Sequence, residues 1–478
     1  MKMIINGQEV SASDGKTIDV INPATGKVLD TVPAATNADV DLAVEKAKIG
    51  QKIWARVPVH QKVDIMYKFL ELVEASREEL AQTLSAETGK PITEARGEIG
   101  NIPIAFKAFS ERAKHLYGET IPAGMEAGQD KNLLLTQREP LGIIACIIPF
   151  NFPCDLFDQK VAPALLAGNA AIVKPSTDNP LTLCKLTALL VKAGVTDGAI
   201  QVLTGRGSTV GSVLCAHPDV HGITFTGSTE VGIETARTAA GHLAHTALEL
   251  GGNDAFIVLE DGDIDLAVEE MIWGRMYNTG QVCCASKRFL VHNAVKEAFT
   301  EKAVERIKRL KQGSPADEST QIGCLISEKA AVEVERQIQR TVEQGGNIVL
   351  GGGRKGAFIE ATVIKDVPKT ADVAIDMEIF GPVVPIIGFD TVEEAIEIAN
   401  SSKFGLCGCV FTANMKTAFA VCNALECGGT VINGASFFRS FEMPFGGYKY
   451  SGIGTEGVLT TFDEVTRLKT IVLKNILP

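Results

Sequence analysis

No apolar run in this 478-residue chain is long enough to cross a bilayer. The longest, Leu141 to Phe150, covers only about half the span that a membrane helix needs. The start, Met1-Lys2-Met3-Ile4-Ile5-Asn6-Gly7, turns polar at once and lacks the apolar stretch of a secretory signal. Positive charge is in deficit, with 46 Lys and Arg against 58 Asp and Glu, a net of −12. That excludes a general nucleic-acid binder, which needs clustered cations, and leaves room for a local anion site. Histidine is scarce: seven residues, scattered, with no His-Glu-x-x-His pattern, so no metal site is expected. Eleven cysteines, an odd number without a Cys-x-x-Cys pair, cannot form a complete disulfide framework. They read as thiols of a reducing compartment, and the expectation is a cytoplasmic protein without membrane or nucleic-acid partners.

What the chain does contain is core material. Hydrophobic residues make up 45%, ordinary for a globular protein, and the length suits about three domains at ~150 residues each. No repeat, low-complexity tract or Pro- or Ser-rich linker marks a boundary, so organisation must come from rhythm. Ile65, Phe69, Leu72, Val73 and Leu80 recur mostly at helical steps, which predicts an amphipathic helix over residues 60–90 stopped by Gly89.

From residue 142 the rhythm changes. Short β-branched runs at Ile143–Ile148, Ala170–Val173, Ile200–Leu203, Ile223–Phe225 and Thr246–Leu250 start 23 to 30 residues apart, with helix-like stretches between. That is βα spacing, and continuous apolar strands fit a parallel sheet covered on both faces. After Gly251-Gly252 a second series follows: Ala255–Leu259, Arg288–His292, Asn347–Leu350, Val383–Phe389, Cys409–Thr412 and Thr430–Asn433. Two successive α/β sheets joined near residue 251 are expected. Glu464–Lys474 reads as one more strand, with Val465, Ile471 and Leu473 on one face and no obvious partner in the chain.

Several segments could carry chemistry, and each alone also has an ordinary reading. Asn278-Thr279-Gly280-Gln281-Val282-Cys283-Cys284 offers a thiol nucleophile, which works as thiolate and needs a setting that lowers its pKa. Two buried structural cysteines would look similar, although the Gly-Gln before them suggests open backbone approached by a ligand. Glu249-Leu250-Gly251-Gly252 puts a carboxylate at a strand end, where α/β sheets bind ligands and a desolvated acid can act as base, or merely cap a turn. Pro149-Phe150-Asn151-Phe152-Pro153 fixes an amide between two prolines, as an oxyanion site requires, or forms a simple turn. Lys174-Pro175-Ser176-Thr177 follows a strand. Phe225-Thr226-Gly227-Ser228 leads into a helix start whose free N–H groups suit a phosphate. Gly205-Arg206-Gly207 with Gly211 is only part of a dinucleotide fingerprint.

Their order and spacing reach further than any one of them. From end to end the chain resembles the aldehyde dehydrogenase superfamily. The resemblance is carried by Pro149–Pro153, Lys174-Pro175-Ser176, Phe225–Gly232, Glu249–Gly252, Gly280–Cys283, Glu378-Ile379-Phe380-Gly381-Pro382 and Pro444–Lys449 leading to Ser451-Gly452. It implies that Cys283, two beyond Gln281, is the nucleophile that attacks an aldehyde. Asn151 and the Cys283 N–H would hold the oxyanion, and Glu249 would activate the water that hydrolyses the thioester. It further implies an NADP or NAD grip: Lys174 at the adenosine ribose with Ser176, Thr177 and Gly207 nearby, Phe225, Gly227 and Ser228 at the pyrophosphate turn, Glu378 on the nicotinamide ribose beside Phe380, and Ile147 and Phe150 lining the cleft. The fold implied is α/β: a Rossmann-like cofactor domain (1–118 and 139–250), an α/β catalytic domain (251–450) and a small β oligomerisation extension (119–138 and 451–478) that builds a homodimer or homotetramer.

Departures from the family pattern sharpen the expectation. Thr177 stands where many NAD-preferring members carry glutamate, which removes a repulsion from the extra phosphate of NADP and offers a hydroxyl donor, so NADP should be well accepted. Phe150 replaces a common tryptophan. Gln159 occupies the position of an arginine in members acting on succinic semialdehyde, and Val282 that of an arginine in phosphate-recognising members. The aldehyde is therefore not named by sequence. An acylating, coenzyme A-dependent relative usually lacks the glutamate present here as Glu249, and a catalytically silent homologue would not need all three chemical residues.

Overall fold

The computed structural model describes residues 1–478. Five parallel strands, Ile200–Val202, Ala170–Lys174, Ile143–Ile147, Gly222–Thr226 and His245–Glu249, lie side by side in that order. Helices Pro153–Leu166, Leu181–Ala193 and Thr229–Ala240 connect them. Ala170–Lys174 is buried throughout, which is why these strands read as unbroken apolar runs rather than alternating ones. Because the strands are parallel, their carboxyl ends, among them Ile147, Lys174, Thr226 and Glu249, line one edge of the sheet.

The sheet has eight strands, and three come from segments that periodicity did not place in it. Met3–Ile5 pairs antiparallel with Ile200–Val202 and with Gln8–Val10. At the far side Gly452–Ile453 pairs antiparallel with His245–Glu249. All three are too short for any period to register.

The second sheet has seven strands, in the order Asn347–Leu350, Thr362–Lys365, Val383–Phe389, Ser286–His292, Asp254–Val258, Cys407–Phe411 and Gly429–Ile432. Thr362–Lys365 is the member missing from the sequence reading. Only Leu250–Asn253 separates the two sheets in the chain, so the carboxyl edge of the first meets the amino edge of the second. Asp254, Ser286, Val383 and Cys407 open strands at that amino edge. The cleft between the edges is where the candidate residues gather.

Two local expectations are corrected. The helix expected over 60–90 is two helices, Val59–Ala75 and Arg77–Thr88, broken at Ser76. The apolar stripe survives the break, which hides it from periodicity. Gly89 does stop the second helix, at φ 79°, the left-handed conformation that glycine tolerates. The C-terminal strand also has a partner: Thr466–Leu473 pairs antiparallel along its whole length with Leu133–Pro140, from Thr466 opposite Pro140 to Leu473 opposite Leu133. Thr120–Ile121 completes this three-stranded sheet. Strand pairing in this small sheet therefore reaches Pro140 on one side and Thr466 on the other.

Candidate active site

The loop before Cys283 is held in an unusual shape. Asn278, Thr279 and Gly280 all have positive φ, at 49°, 55° and 77°. Two consecutive non-glycine residues in that region cost backbone energy, which neighbours must offset. They do: the Asn278 amide donates to the Gln281 carbonyl at 3.2 Å and to the Asn151 carbonyl at 2.9 Å, while its N–H donates to Glu94 at 2.8 Å. Gln281 returns a bond to the Asn278 carbonyl and accepts one from the Ile326 N–H. The expectation that Gly280-Gln281 marks backbone open to a ligand is thus corrected. A Cβ on Gly280 would stand 2.3 Å from the Gly381 carbonyl, so the close approach is by the chain itself.

This loop delivers Cys283 half-buried to a cavity of about 260 Å³, with Cys284 buried behind it. The two thiols are driven in opposite directions. Cys283 is lowered to about 7, chiefly by the hydrogen bond that the Cys284 thiol gives its sulfur, then by the nearby charges of Lys287 and Arg439, which outweigh burial. The same hydrogen bond, with burial, pushes Cys284 well above the usual thiol range. Cys283 is the sulfur that can be a thiolate near neutral pH.

Asn151 lines the same cavity and is 5% exposed. Its carbonyl is clamped by the Lys90 ammonium at 2.9 Å as well as by Asn278. Lys90 is itself buried in an ion pair with Glu98 and lies over the Phe152 ring. The Cys283 N–H has no acceptor within the chain, so a side-chain amide and a backbone amide remain as donors. Lys90 and Glu98 were invisible to sequence reasoning, because they act through Asn151 and belong to no motif read there; Asn278 was read as the start of the segment leading to Cys283, without its hold on Asn151.

Glu249 closes its strand, 4% exposed, with neither carboxyl oxygen hydrogen-bonded. Burial first, then the charge of Glu456, raises it well above the ordinary carboxylate range, against Arg439 and Lys160. An acid so placed can act as a general base once it is ionised. Glu456 connects to both cations: Lys160 pairs with it in the core and Arg439 at 3.1 Å.

The expected dinucleotide residues lie along the carboxyl edge of the first sheet. Lys174 ends its strand 4% exposed, and burial lowers it to about 8, opposed only by Asp178. A buried ammonium so short of counter-charge fits ribose oxygens or a phosphate. Ser228 caps the Thr229–Ala240 helix by accepting from the Val231 N–H, leaving the first turn pointing into the cleft edge. Gly227 is required there, since a Cβ would meet the Phe225 ring at 2.5 Å. Ile147 ends its strand half-buried, and Phe150 meets Phe380 edge-on, their centroids 6.0 Å apart. Glu378 accepts from the Gly252 N–H at 3.2 Å and pairs with Lys287.

The ribose corner carries one correction. Ser176 is occupied in accepting from the Asp178 N–H, and Thr177 donates its hydroxyl proton to the Gly205 carbonyl at 3.1 Å. The expected free donor at Thr177 is therefore spent within the chain. Arg206 and Gly207, next along, are exposed, and Gly207 opens a π-helical turn. A larger hollow of about 1140 Å³ lies between the residue 19–26 hairpin and residues 353–360. It holds none of the catalytic candidates, and the small cavity at Cys283 is the one with reactive groups.

Known proteins bear on this arrangement. The family model described as "Aldehyde dehydrogenase family" matches residues 10–471. A lactaldehyde dehydrogenase of Methanococcus vannielii is 34% identical over 477 residues, 99% of this chain and 100% of that protein. A crystal structure of an NADP-dependent enzyme of E. coli superposes with TM-score 0.96 at 34% identity, covering 99% of this chain and 98% of that one. An NAD-dependent aldehyde dehydrogenase of Sinorhizobium meliloti gives 0.96 at 34%, covering 100% and 95%. With the match running nearly the length of the sequence, the chain belongs to the aldehyde dehydrogenase family, and it is an oxidoreductase acting on aldehydes.

Proposed function

We propose that this dehydrogenase oxidises a small aldehyde to the carboxylic acid by a hydrolytic route, with NADP or NAD as hydride acceptor. The observation that carries the reading is a lowered thiol, Cys283, on the cavity wall, with an unpartnered buried carboxyl, Glu249, near enough to feel its charge. The Cys283 thiolate adds to the aldehyde carbon, and the carbonyl electron pair moves to oxygen. The Asn151 amide and the Cys283 N–H are the donors available to that oxyanion. A dinucleotide held by Lys174, Ser228 and Glu378 would supply the acceptor for the hydride that leaves the tetrahedral carbon, whose oxidation leaves a thioester on Cys283. Glu249, once ionised, takes a proton from water as the water oxygen attacks the thioester. Collapse expels the Cys283 thiolate and the acid.

Lys174, Ser228, Glu378 and their neighbours form the dinucleotide site, with NADP preferred because no carboxylate stands at Thr177. Subunits associate through the three-stranded sheet, and the unpaired thiols suit a cytoplasmic setting. A panel of small aldehydes, each with both nucleotides, tests the reading: NAD(P)H and free acid are expected. An acyl-CoA product on adding coenzyme A would make the enzyme acylating instead. No reduced nucleotide with any aldehyde would leave a catalytically silent homologue.

A further inference from the structure

The second sheet is irregular where it starts behind Cys283. Asp254 faces Ser286 across neighbouring strands, but Ala255 faces Arg288, so the pairing skips Lys287. An extra residue of this kind bends its strand and re-aims its side chain. The Lys287 ammonium, 1% exposed, reaches the Cys283 carbonyl and lies 2.9 Å from the Glu378 carboxylate. Across from the skipped residue stands Asp254, 2% exposed and used by no step above. Its Oδ1 accepts from the Cys407 N–H at 3.1 Å, while its Oδ2 has no partner. A Cβ added to Gly252 would stand 2.9 Å from both Asp254 Oδ1 and the Cys283 carbonyl oxygen, and one on Gly251 would stand 2.5 Å from Glu378 Oε2. The two carboxyls thus close on successive residues of the turn that follows Glu249.

A buried ammonium needs counter-charge. Glu378 supplies it, but its Oε1 also accepts from the Gly252 N–H, and the reading above gives the same carboxylate to the nicotinamide ribose. We infer that Asp254 is a positioning residue, the second counter-charge of Lys287, which keeps the ammonium on the loop of the nucleophile and leaves Glu378 available to the dinucleotide. This rests on the proposed dinucleotide site. Asp254 acts through Lys287 and touches no substrate or cofactor. Burial pushes its carboxyl up to about 8, and Lys287 is the first of the groups that oppose the rise, so the cation favours the charged form. Capping the Cys407 N–H alone would be served by asparagine, without the cost of burying an acid.

The test is a double-mutant cycle read by binding. NADPH and NADH are titrated by fluorescence at about pH 9, where the Asp254 carboxyl is largely ionised, and thermal unfolding checks each variant. Asp254→Asn keeps an acceptor for the Cys407 N–H and removes the charge; Asp254→Ser is carried beside it, so that one can decide if the other fails to fold. Either should weaken binding of both nucleotides by about threefold or more, because Lys287 then draws on Glu378 alone. In a Lys287→Met or Glu378→Gln background the same change should move affinity by less than about twofold. Lys287→Met by itself should bind at least as tightly as wild type, since it frees Glu378. Undiminished binding in folded Asp254 variants, an equal loss with and without Lys287, or weaker binding by Lys287→Met would overturn the inference and leave the dinucleotide site standing. Glu378→Gln that binds as wild type does, or wild type that binds neither nucleotide, would overturn the site reading itself and the inference with it.

Discussion

The Lys287 ammonium lies 2.9 Å from the Glu378 carboxylate and also donates to the carbonyl of Cys283. One buried cation thus ties the loop of the proposed nucleophile to the carboxylate that the family pattern assigns to the nicotinamide ribose. Lys287 is 1% exposed, so its field is poorly screened by water. It is among the charges that hold Cys283 down, and its pairing with Glu378 leaves it less than fully available to the thiolate.

That arrangement sets the behaviour of the two cysteines. Cys283→Ala should abolish turnover, and Cys284→Ala should keep most of it. Alkylation by iodoacetamide tracks the thiolate, so in wild type its rate should rise with pH through a midpoint near 7. Lys287→Met removes a favourable cation, and Cys284→Ala removes the hydrogen bond to the sulfur; each should move the midpoint upward. Equal loss of turnover in both alanine variants, or a midpoint indifferent to Lys287, would contradict this account of the thiol.

Glu249→Gln should stall thioester hydrolysis more than its formation, because an amide cannot take the proton from water. A burst of NAD(P)H followed by turnover slower by about 10²–10⁴-fold is expected. The wild-type pH profile has a definite sign. A carboxyl raised by burial is protonated and idle at low pH, so the hydrolytic step should accelerate with rising pH, through a midpoint above that of an ordinary carboxylate. Loss of the burst in folded, cofactor-binding Glu249→Gln would reject this role.

The parallel cores were legible because strands buried on both faces, such as Ala170–Lys174, need apolar residues at every position. Candidate residues stood out in the sequence where glycine and proline fix the backbone beside them, as around Asn151 and Glu249. What stayed hidden was whatever depends on a distant partner. Gly452–Ile453 is a strand only because His245–Glu249 offers an edge. Lys90 looks like any helix-flanking lysine until its ammonium reaches the Asn151 carbonyl. Thr177 carries a free donor on paper, but its hydroxyl already donates to the Gly205 carbonyl.

Pairing with Leu133–Pro140 uses only one edge of Thr466–Leu473, and this strand is terminal in its sheet. Leu468 is 60% and Val472 51% exposed on it. Open edges with apolar side chains are normally covered in native proteins. A homodimer or dimer of dimers formed through this strand is expected in light scattering, and Leu468→Asp with Val472→Asp should shift it to smaller species. A monodisperse wild-type monomer at micromolar concentration would refute the arrangement.

On the proposed reading, cofactor choice turns on the corner formed by Lys174, Thr177 and Arg206. A glutamate at 177 would accept bonds from both ribose hydroxyls of NAD and repel the added phosphate of NADP, which carries nearly two charges at neutral pH. Across a partly screened cleft that repulsion is worth on the order of 1–4 kcal/mol. Thr177 removes it, although with its proton on the Gly205 carbonyl it contributes no donor of its own. Attraction must come from cations: Lys174, lowered to about 8 and short of counter-charge, and Arg206, exposed beside Gly205. An arriving phosphate would favour the charged form of Lys174, so NADP affinity should weaken as pH rises past about 8. Wild type should use NADP well and prefer it, with NAD still accepted. Thr177→Glu should shift the preference toward NAD, and Arg206→Ala should lower kcat/KM for NADP several-fold more than for NAD. A wild-type preference for NAD of about a hundredfold, roughly 2.7 kcal/mol, would mean that this corner does not control the choice.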